Sequence, residues 1–235
     1  MKDQITRKTQ IGSHRGLSTA YPDNTLGGIV AASLVADFVE LDVRRTADGE
    51  MVLSHDPAFG DVVINDHIWD ELRDIDLGSG HHPALFGQVL EALPDTPLDI
   101  EIKNFPDQPG FDPVGEFAIE VAGLARPLDV VTSFFWPTMD IVKAALPDIR
   151  TGLLVFQGGT VADVVAAALE GGHEVVAPHF GLVIDDLDLI TRAQEAGLEV
   201  ISWTVNDPDI ARALMETGID GLITDHPERM KQEQQ

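Results

Sequence analysis

"FVELDVRRTADGEMVLSHD" (Phe38–Asp56) reads as a strand, a tight turn and a returning strand. Phe38, Val39, Leu41 and Val43 give the first half its apolar, β-branched character. Side chains alternate across a strand, so Glu40 and Asp42 share one face while Leu41 and Val43 take the other. Asp48-Gly49 is a hairpin signal, because both residues tolerate the positive φ of a two-residue loop. With those two as the loop, Ala47 pairs with Glu50 and His55 falls opposite Asp42, about 5 Å away at Cβ. Two carboxylates and an imidazole are thus expected together. An edge hairpin with a solvated polar face is the plainer reading of an isolated E-x-D, so the rest of the chain has to decide.

Outward from this stretch, short apolar runs alternate with amphipathic ones. Strands are expected at the run into "IGSHRG" and at "DFVELDV", "LDIEIK", "VVTSF", "TGLLVF", "EVVAPHF", "EVISWTV" and "DGLITD". Helices are expected between them, several starting at Asp, Asn or Thr and stopping near Gly, as capping requires. Repeated strand–helix units imply a parallel sheet covered by helices. Eight such strands in 235 residues point to an α/β fold, a (β/α)8 TIM barrel, in preference to a doubly wound open sheet. We expect a single domain over residues 1–235, with the barrel at about 10–228 and a short β-hairpin extension after the second strand.

In such a barrel, reactive groups belong at the C-terminal ends of the strands. Polar residues collect there: His14 and Arg15, Glu40 and Asp42, Glu101 and Lys103, His179, Trp203 with Asn206, and Asp225. Glu101 and Lys103 repeat the same-face spacing of Glu40 and Asp42. A carboxylate pointing into a barrel is costly unless paired or metal-bound. Three of them, with no thiolates, suit Mg²⁺ or Ca²⁺ better than zinc. An ion-pair network with Arg15, Arg44 and Lys103 is the alternative.

Composition narrows the partners. The net charge of -25 argues against nucleic acid or an anionic membrane surface, since both are polyanions. An anionic substrate would approach against that field and would need a local cation. Cys is absent, which excludes disulfides and cysteine nucleophiles. The start "MKDQITRKTQIGSHRG" lacks the apolar core of a signal peptide, and no apolar run reaches transmembrane length. No membrane anchor and a cytoplasmic location are therefore expected.

"SHRG" (Ser13–Gly16), "YPDNT" (Tyr21–Thr25), "VELDVRRTADGEMVLSHD" (Val39–Asp56), "IEIK" (Ile100–Lys103) and the late "WTVN…GIDGLITDHP" resemble glycerophosphodiester phosphodiesterases, in family order and over nearly the whole chain. The resemblance implies a TIM barrel with a divalent metal at its mouth. Its substrates would be small glycerophosphodiesters such as glycerophosphocholine or glycerophosphoethanolamine, cleaved to glycerol 3-phosphate and an alcohol. Carried over by motif, Glu40, Asp42 and Glu101 are the metal ligands, His14 and His55 the general acid/base pair, and Arg15 and Lys103 the phosphate-binding cations. Asp23 stands where the family usually has Glu and is expected to orient Arg15 or to lie near the metal. The usual R-T-T after the H-D motif is missing from "HDPAFGDVVIND", so Ala58–His82 is expected to be a compact connection beside the alcohol pocket. Trp203 is a candidate to pack on the glycerol backbone, with core packing as its alternative. His179 is expected to be structural, and Phe134, Phe135 and Trp136 to line either the pocket or the core. A lysophospholipase D or sphingomyelinase D-like enzyme, and a catalytically silent phosphodiester- or protein-binding barrel, are the competing functions.

Overall fold

The computed structural model describes residues 8–156 and 158–234. The first residues of the stretch read against a signal peptide, Met1–Arg7, lie outside them. Its strands are β1 (Gln10–Ser13), β2 (Phe38–Arg45), β3 (Met51–Leu53), β4 (Ala58–Phe59), β5 (Val62–Val63), β6 (Leu98–Ile102), β7 (Val130–Ser133), β8 (Thr151–Val155), β9 (Val175–Pro178), β10 (Glu199–Ser202) and β11 (Gly221–Thr224). Eight of them run parallel in the order β1-β2-β6-β7-β8-β9-β10-β11, and β11 pairs back onto β1, closing the expected TIM barrel. β3 adds antiparallel to β2, and β4 pairs with β5 as a separate ribbon.

The alternation read in β2 sorts its side chains. Val39, Leu41 and Val43 join the large core under the helices, with Ile11, Ile100, Ile102 and Val131. Phe38 belongs instead to a second cluster with Val130, Val175, Ile201 and Ile223. These are inward-facing residues of alternating pattern, and they fill one end of the barrel. Gly12 is required opposite Phe38, because a Cβ there would lie 2.3 Å from the ring. Further along β2 the same inward face carries Glu40 and Asp42, and register pairs Glu40 with Asp99 and Asp42 with Glu101.

Helix starts follow the capping signals. Thr25 accepts from the Gly28 N–H, Thr160 from Asp163, and Asp207 from Asp209 and Ile210 ahead of Pro208 at the first turn. Two helices went unread in the sequence, a single turn at Trp69–Leu72 and the C-terminal Pro227–Glu233. The Ala58–His82 connection is compact as expected: Phe59, Val62, Trp69 and Ile75 pack on Val52, Ile64 and Leu72. No described helix is long and apolar enough to cross a membrane.

The hairpin register differs from expectation by one residue. Val43 pairs with Leu53, Arg44 with Val52 and Arg45 with Met51, so Ser54 stands opposite Asp42, its N–H donating to the Asp42 carbonyl at 3.1 Å. The loop has three residues, Ala47-Asp48-Gly49, with Gly49 at φ +90°. That is the turn-plus-bulge solution open to an Asp-Gly pair. Thr46 selects it: its hydroxyl donates to Asp48 Oδ1 at 2.6 Å and accepts from the Glu50 N–H at 2.9 Å.

Candidate active site

The period-two spacing of β2 and β6 brings Glu40, Asp42 and Glu101 together inside the barrel toward the C-terminal strand ends. All three are buried, with one oxygen from each lying within 4.8 Å of the others. Lys103, only 3% exposed, places Nζ 2.9 Å from Asp42 Oδ1 and 2.5 Å from Glu101 Oε1. These charge contacts lack hydrogen-bond angles, and the two oxygens have no hydrogen-bond partner. Arg15 Nε lies 3.4 Å from Asp42 Oδ2, and the Arg15 backbone N–H donates to Glu40 Oε2 at 2.8 Å. Arg15 does this at φ +56°, a left-handed conformation that turns both its amide and its side chain toward the acids.

Electrostatics separates the three acids. Burial alone would raise Asp42, but Lys103 and Arg15 outweigh it and hold the carboxyl at about 2. Burial, only partly offset by Lys103, lifts Glu101 to about 7. Glu40 is driven well above the ordinary carboxylate range by burial and then by Asp42 and Glu101. Lys103 is pulled down by burial, but Glu101 and Asp42 more than compensate and keep it above its usual value. Three inward acids therefore face two cations, and a fourth buried acid, Asp99, stands opposite Glu40 in the register of β2 and β6. The ion-pair reading accounts for Arg15 and Lys103 but leaves one carboxylate without a counter-ion when all three are ionised, which is why Glu40 and Glu101 hold their protons so strongly without a further cation. A hard divalent cation held by Glu40, Asp42 and Glu101 fits both the charge deficit and the all-oxygen donor set.

Arg44, the third cation of that reading, makes no ion pair with the three acids, though Asp42 and Glu101 act on it through space. Its Nε and Nη2 donate to the His55 carbonyl at 3.0 and 2.6 Å, and Nη2 also donates to Gln108. His55 thus lies one residue past the antiparallel ladder, held through its own backbone, with Nδ1 2.8 Å from Asp56 Oδ1. Burial and the nearby Lys103 and Arg15 lower its pKa despite Asp42, favouring a neutral imidazole. A cavity of about 240 Å³ opens here, lined by Arg15, Asp23, Asn24, Ser54, His55 and Asp56 among others. Asp23 sits 3.4 Å from Arg15 Nη1, so of its two expected places it takes the one beside Arg15. The larger cavities lie elsewhere, around Lys8, Arg150 and Arg212, away from these groups.

His14 follows β1 directly, where Nδ1 lies 2.7 Å from Asp225 Oδ1 at the end of β11. Trp203 follows β10 at its C-terminal end: its indole N–H donates to the Ala177 carbonyl at 2.7 Å, and Phe134, Phe156 and His179 pack around its rings. His179 is thereby part of the aromatic group at the mouth. Phe134 joins that group, while Trp136 packs on the core, donating to the Leu154 carbonyl. Three residues were given no specific role by the sequence reading. Asn24 clamps Asp42, donating to Oδ2 at 2.7 Å and accepting the Asp42 N–H at 3.1 Å; Asn206 and Asp225 were noted only as polar mouth residues. The one signal for Asn24 was its place in the quoted "YPDNT".

Fold and site together define a TIM barrel whose mouth joins a cluster of three buried carboxylates to two imidazoles. Residues 14–229 match the Glycerophosphoryl diester phosphodiesterase family. The chain is 28% identical over 239 residues to the glycerophosphodiester phosphodiesterase of Caldanaerobacter subterraneus subsp. tengcongensis, covering 95% of this chain and 96% of the other. The structure of the glycerophosphodiester phosphodiesterase from Thermotoga maritima superposes with a TM-score of 0.80 at 27% identity, covering 96% and 98% of the two chains. An Oleispira antarctica phosphodiesterase in complex with the product sn-glycerol-3-phosphate shares the fold, with a TM-score of 0.83 at 23% identity over 95% and 96%. The chain belongs to the glycerophosphoryl diester phosphodiesterase family and is an enzyme of that class, a phosphoric diester hydrolase.

Proposed function

We propose that this single-domain enzyme hydrolyses glycerophosphocholine, glycerophosphoethanolamine and like diesters to glycerol 3-phosphate and an alcohol. Glu40, Asp42 and Glu101 hold Mg²⁺ or Ca²⁺, and His14 and His55 transfer protons. The observation that carries this reading is the convergence of three buried carboxylates on one point with more negative charge than Arg15 and Lys103 balance.

When bound, the cation supplies positive charge to the phosphate oxygens and acidifies an oxygen nucleophile. Arg15 offers a planar fork to the phosphate, and Lys103 adds its charge to the same space. As the nucleophile's oxygen bonds to phosphorus, one imidazole takes its proton. The bond from phosphorus to the alcohol oxygen breaks, and the other imidazole protonates that oxygen. Water as nucleophile gives glycerol 3-phosphate in one step; the substrate's own glycerol hydroxyl gives a cyclic phosphate, which water then opens, adding to phosphorus as one ring oxygen leaves and is protonated, with the same imidazole pair serving both steps. Asp23 steadies Arg15, and Trp203 offers the glycerol backbone an apolar face.

A second reading has one feature in its favour. Phe156, 52% exposed, stacks beside Trp203, an apolar surface suited to the acyl chain of a lysophospholipid. Release of glycerol 3-phosphate from glycerophosphocholine, abolished by EDTA and restored by Mg²⁺ or Ca²⁺, tests the first reading. Failure there with turnover of lysophosphatidylcholine selects the second.

A further inference from the structure

The hydrogen bonds around His14 fix more than its place. Asn206 Oδ1 lies 2.9 Å from the Asp225 backbone nitrogen. A backbone N–H can only donate, so that atom of Asn206 is the oxygen, and it also accepts from the Thr224 hydroxyl at 3.0 Å. The other end of the amide is then the NH2 group, donating to Asp225 Oδ2 at 2.6 Å. The remaining Asp225 oxygen, Oδ1, faces His14 Nδ1 at 2.7 Å. An ionised carboxylate only accepts, so Nδ1 is the donor and the lone pair of the neutral ring lies on Nε2. The hydrogen bond from His14, helped by that from Asn206, holds the Asp225 carboxyl below its ordinary range despite burial.

We propose that Asp225, locked in orientation by Asn206, is a positioning residue that fixes the proton of His14 on Nδ1 and so presents Nε2 to the reacting oxygens. Three separate segments build the device. Ser13 and Thr224 pair where β1 meets β11, so the residues that follow them, His14 and Asp225, meet across the closing seam of the barrel; Asn206 comes from the turn after β10. His55 has no equivalent. Its neighbour Asp56 is 77% exposed, and among the described residues no second side chain holds that carboxylate. The two imidazoles therefore differ in kind: one is set by a rigid carboxylate, the other is held through its backbone by Arg44.

The assignment rests on the proposed proton-transfer role of His14, and its test separates the two. In Asp225→Asn, Asn206 still needs an acceptor, so the new amide turns its oxygen to Asn206 and its NH2 to His14. That moves the ring proton to Nε2. Two-bond ¹H–¹⁵N spectra of ¹⁵N-histidine-labelled protein read the tautomer directly, without reference to turnover. We expect the switch to Nε2–H, with kcat reduced about 10²–10⁴-fold, the range of general acid–base catalysis with a wrong-tautomer histidine of serine hydrolases at its upper end, and KM nearly unchanged. Adding Asn206→Asp to Asp225→Asn reverses the demand. The carboxylate now accepts the amide NH2, the amide oxygen returns to His14, and the Nδ1–H form and at least tenfold of kcat come back. A merely structural role predicts no such recovery. An unchanged tautomer in Asp225→Asn, or a double exchange no better than the single one, overturns the proposal. The expected tautomers in a protein that hydrolyses no glycerophosphodiester, wild type included, support the proton assignment and overturn the functional reading alone.

Discussion

Replacing Asp99 by Asn should stabilise the metal-free protein, and by more at high pH than at low. Asp99 projects from β6 opposite Glu40 in register, 1% exposed, with one hydrogen bond to Oδ1 from the Thr132 hydroxyl at 2.7 Å. Burial raises its carboxyl from the ordinary 3.8 to about 7, Glu101 and Asp42 pushing the same way and Thr132 only partly opposing. Each tenfold change in proton affinity is worth about 1.4 kcal/mol, so the charged form bears a penalty of about 4 kcal/mol. Below 3.8 both folded and unfolded chains hold the proton, and between 3.8 and about 7 only the folded one does. Stability therefore falls as pH rises through that window and levels off above it. An amide cannot ionise, and its oxygen can still accept from Thr132. An unpaired NH2 would subtract about 1–3 kcal/mol, equally at every pH. The diagnostic is thus the widening of the gap between variant and wild type, roughly 3 kcal/mol from pH 5 to pH 8. For a chain of this length that is roughly 6–12 °C in Tm. Urea unfolding in EDTA at the two pH values measures it. A gap that stays constant or narrows toward pH 8 would refute the argument that Asp99 is a buried, weakly compensated acid.

Three further outcomes follow from the same site and surface. Divalent cation at about 100 times its Kd should add about 2.7 kcal/mol of stability, an upward shift of Tm that EDTA reverses in thermal scans; Glu40→Gln should abolish the shift while stabilising the metal-free protein, since burial and the neighbouring Asp42 and Glu101 oppose the Glu40 charge. Arg44→Met should lower kcat by about 10²-fold, the scale of an ångström-sized misplacement, because it removes both bonds to the His55 carbonyl; steady-state rates with Tm measured in parallel would show whether the loss is merely unfolding. Raising NaCl from 0.05 to 1 M should raise Tm and increase kcat/KM more for diesters with neutral alcohols than for zwitterionic ones, because the net charge of -25 repels both itself and an anion. Equal salt responses for the two substrate types would rule out that field as a source of selectivity.

The eight barrel strands were legible because a strand buried on both faces needs an unbroken apolar run, and interruptions of that run stand out. Glu40, Asp42, Glu101 and Lys103 were visible for that reason: each is a charge inserted at period two into a run that otherwise excludes charge. Their supports were not visible. Asn24 lies 18 residues from Asp42, and Asp225 lies 211 from His14. The pairing of β1 with β2 brings the first pair together and closure of the barrel the second, and an Asn or Asp at a strand end looks the same in sequence whether it orients a catalytic group or faces water. Asp99 shares the "LDIEIK" run with Glu101, yet nothing in its spacing tells a second layer of acids from the first.

The one-residue register difference shows where local reading stops and what it conceals. Asp-Gly serves two-residue and three-residue loops alike, and the choice falls to Thr46, whose hydroxyl ties Asp48 to Glu50. With Ser54 taking the place opposite Asp42, His55 leaves the ladder before any sheet hydrogen bond can fix it. Its carbonyl is captured by the Arg44 guanidinium. The arginine read as a counter-ion for the acids therefore acts on the backbone that carries an imidazole, and its charge lies outside the ion pairs with the three carboxylates. That leaves its charge acting on Asp42 and Glu101 only through space. It sharpens the case for a divalent ion there, and it makes the position of His55 depend on a side chain whose loss would leave the acid cluster intact.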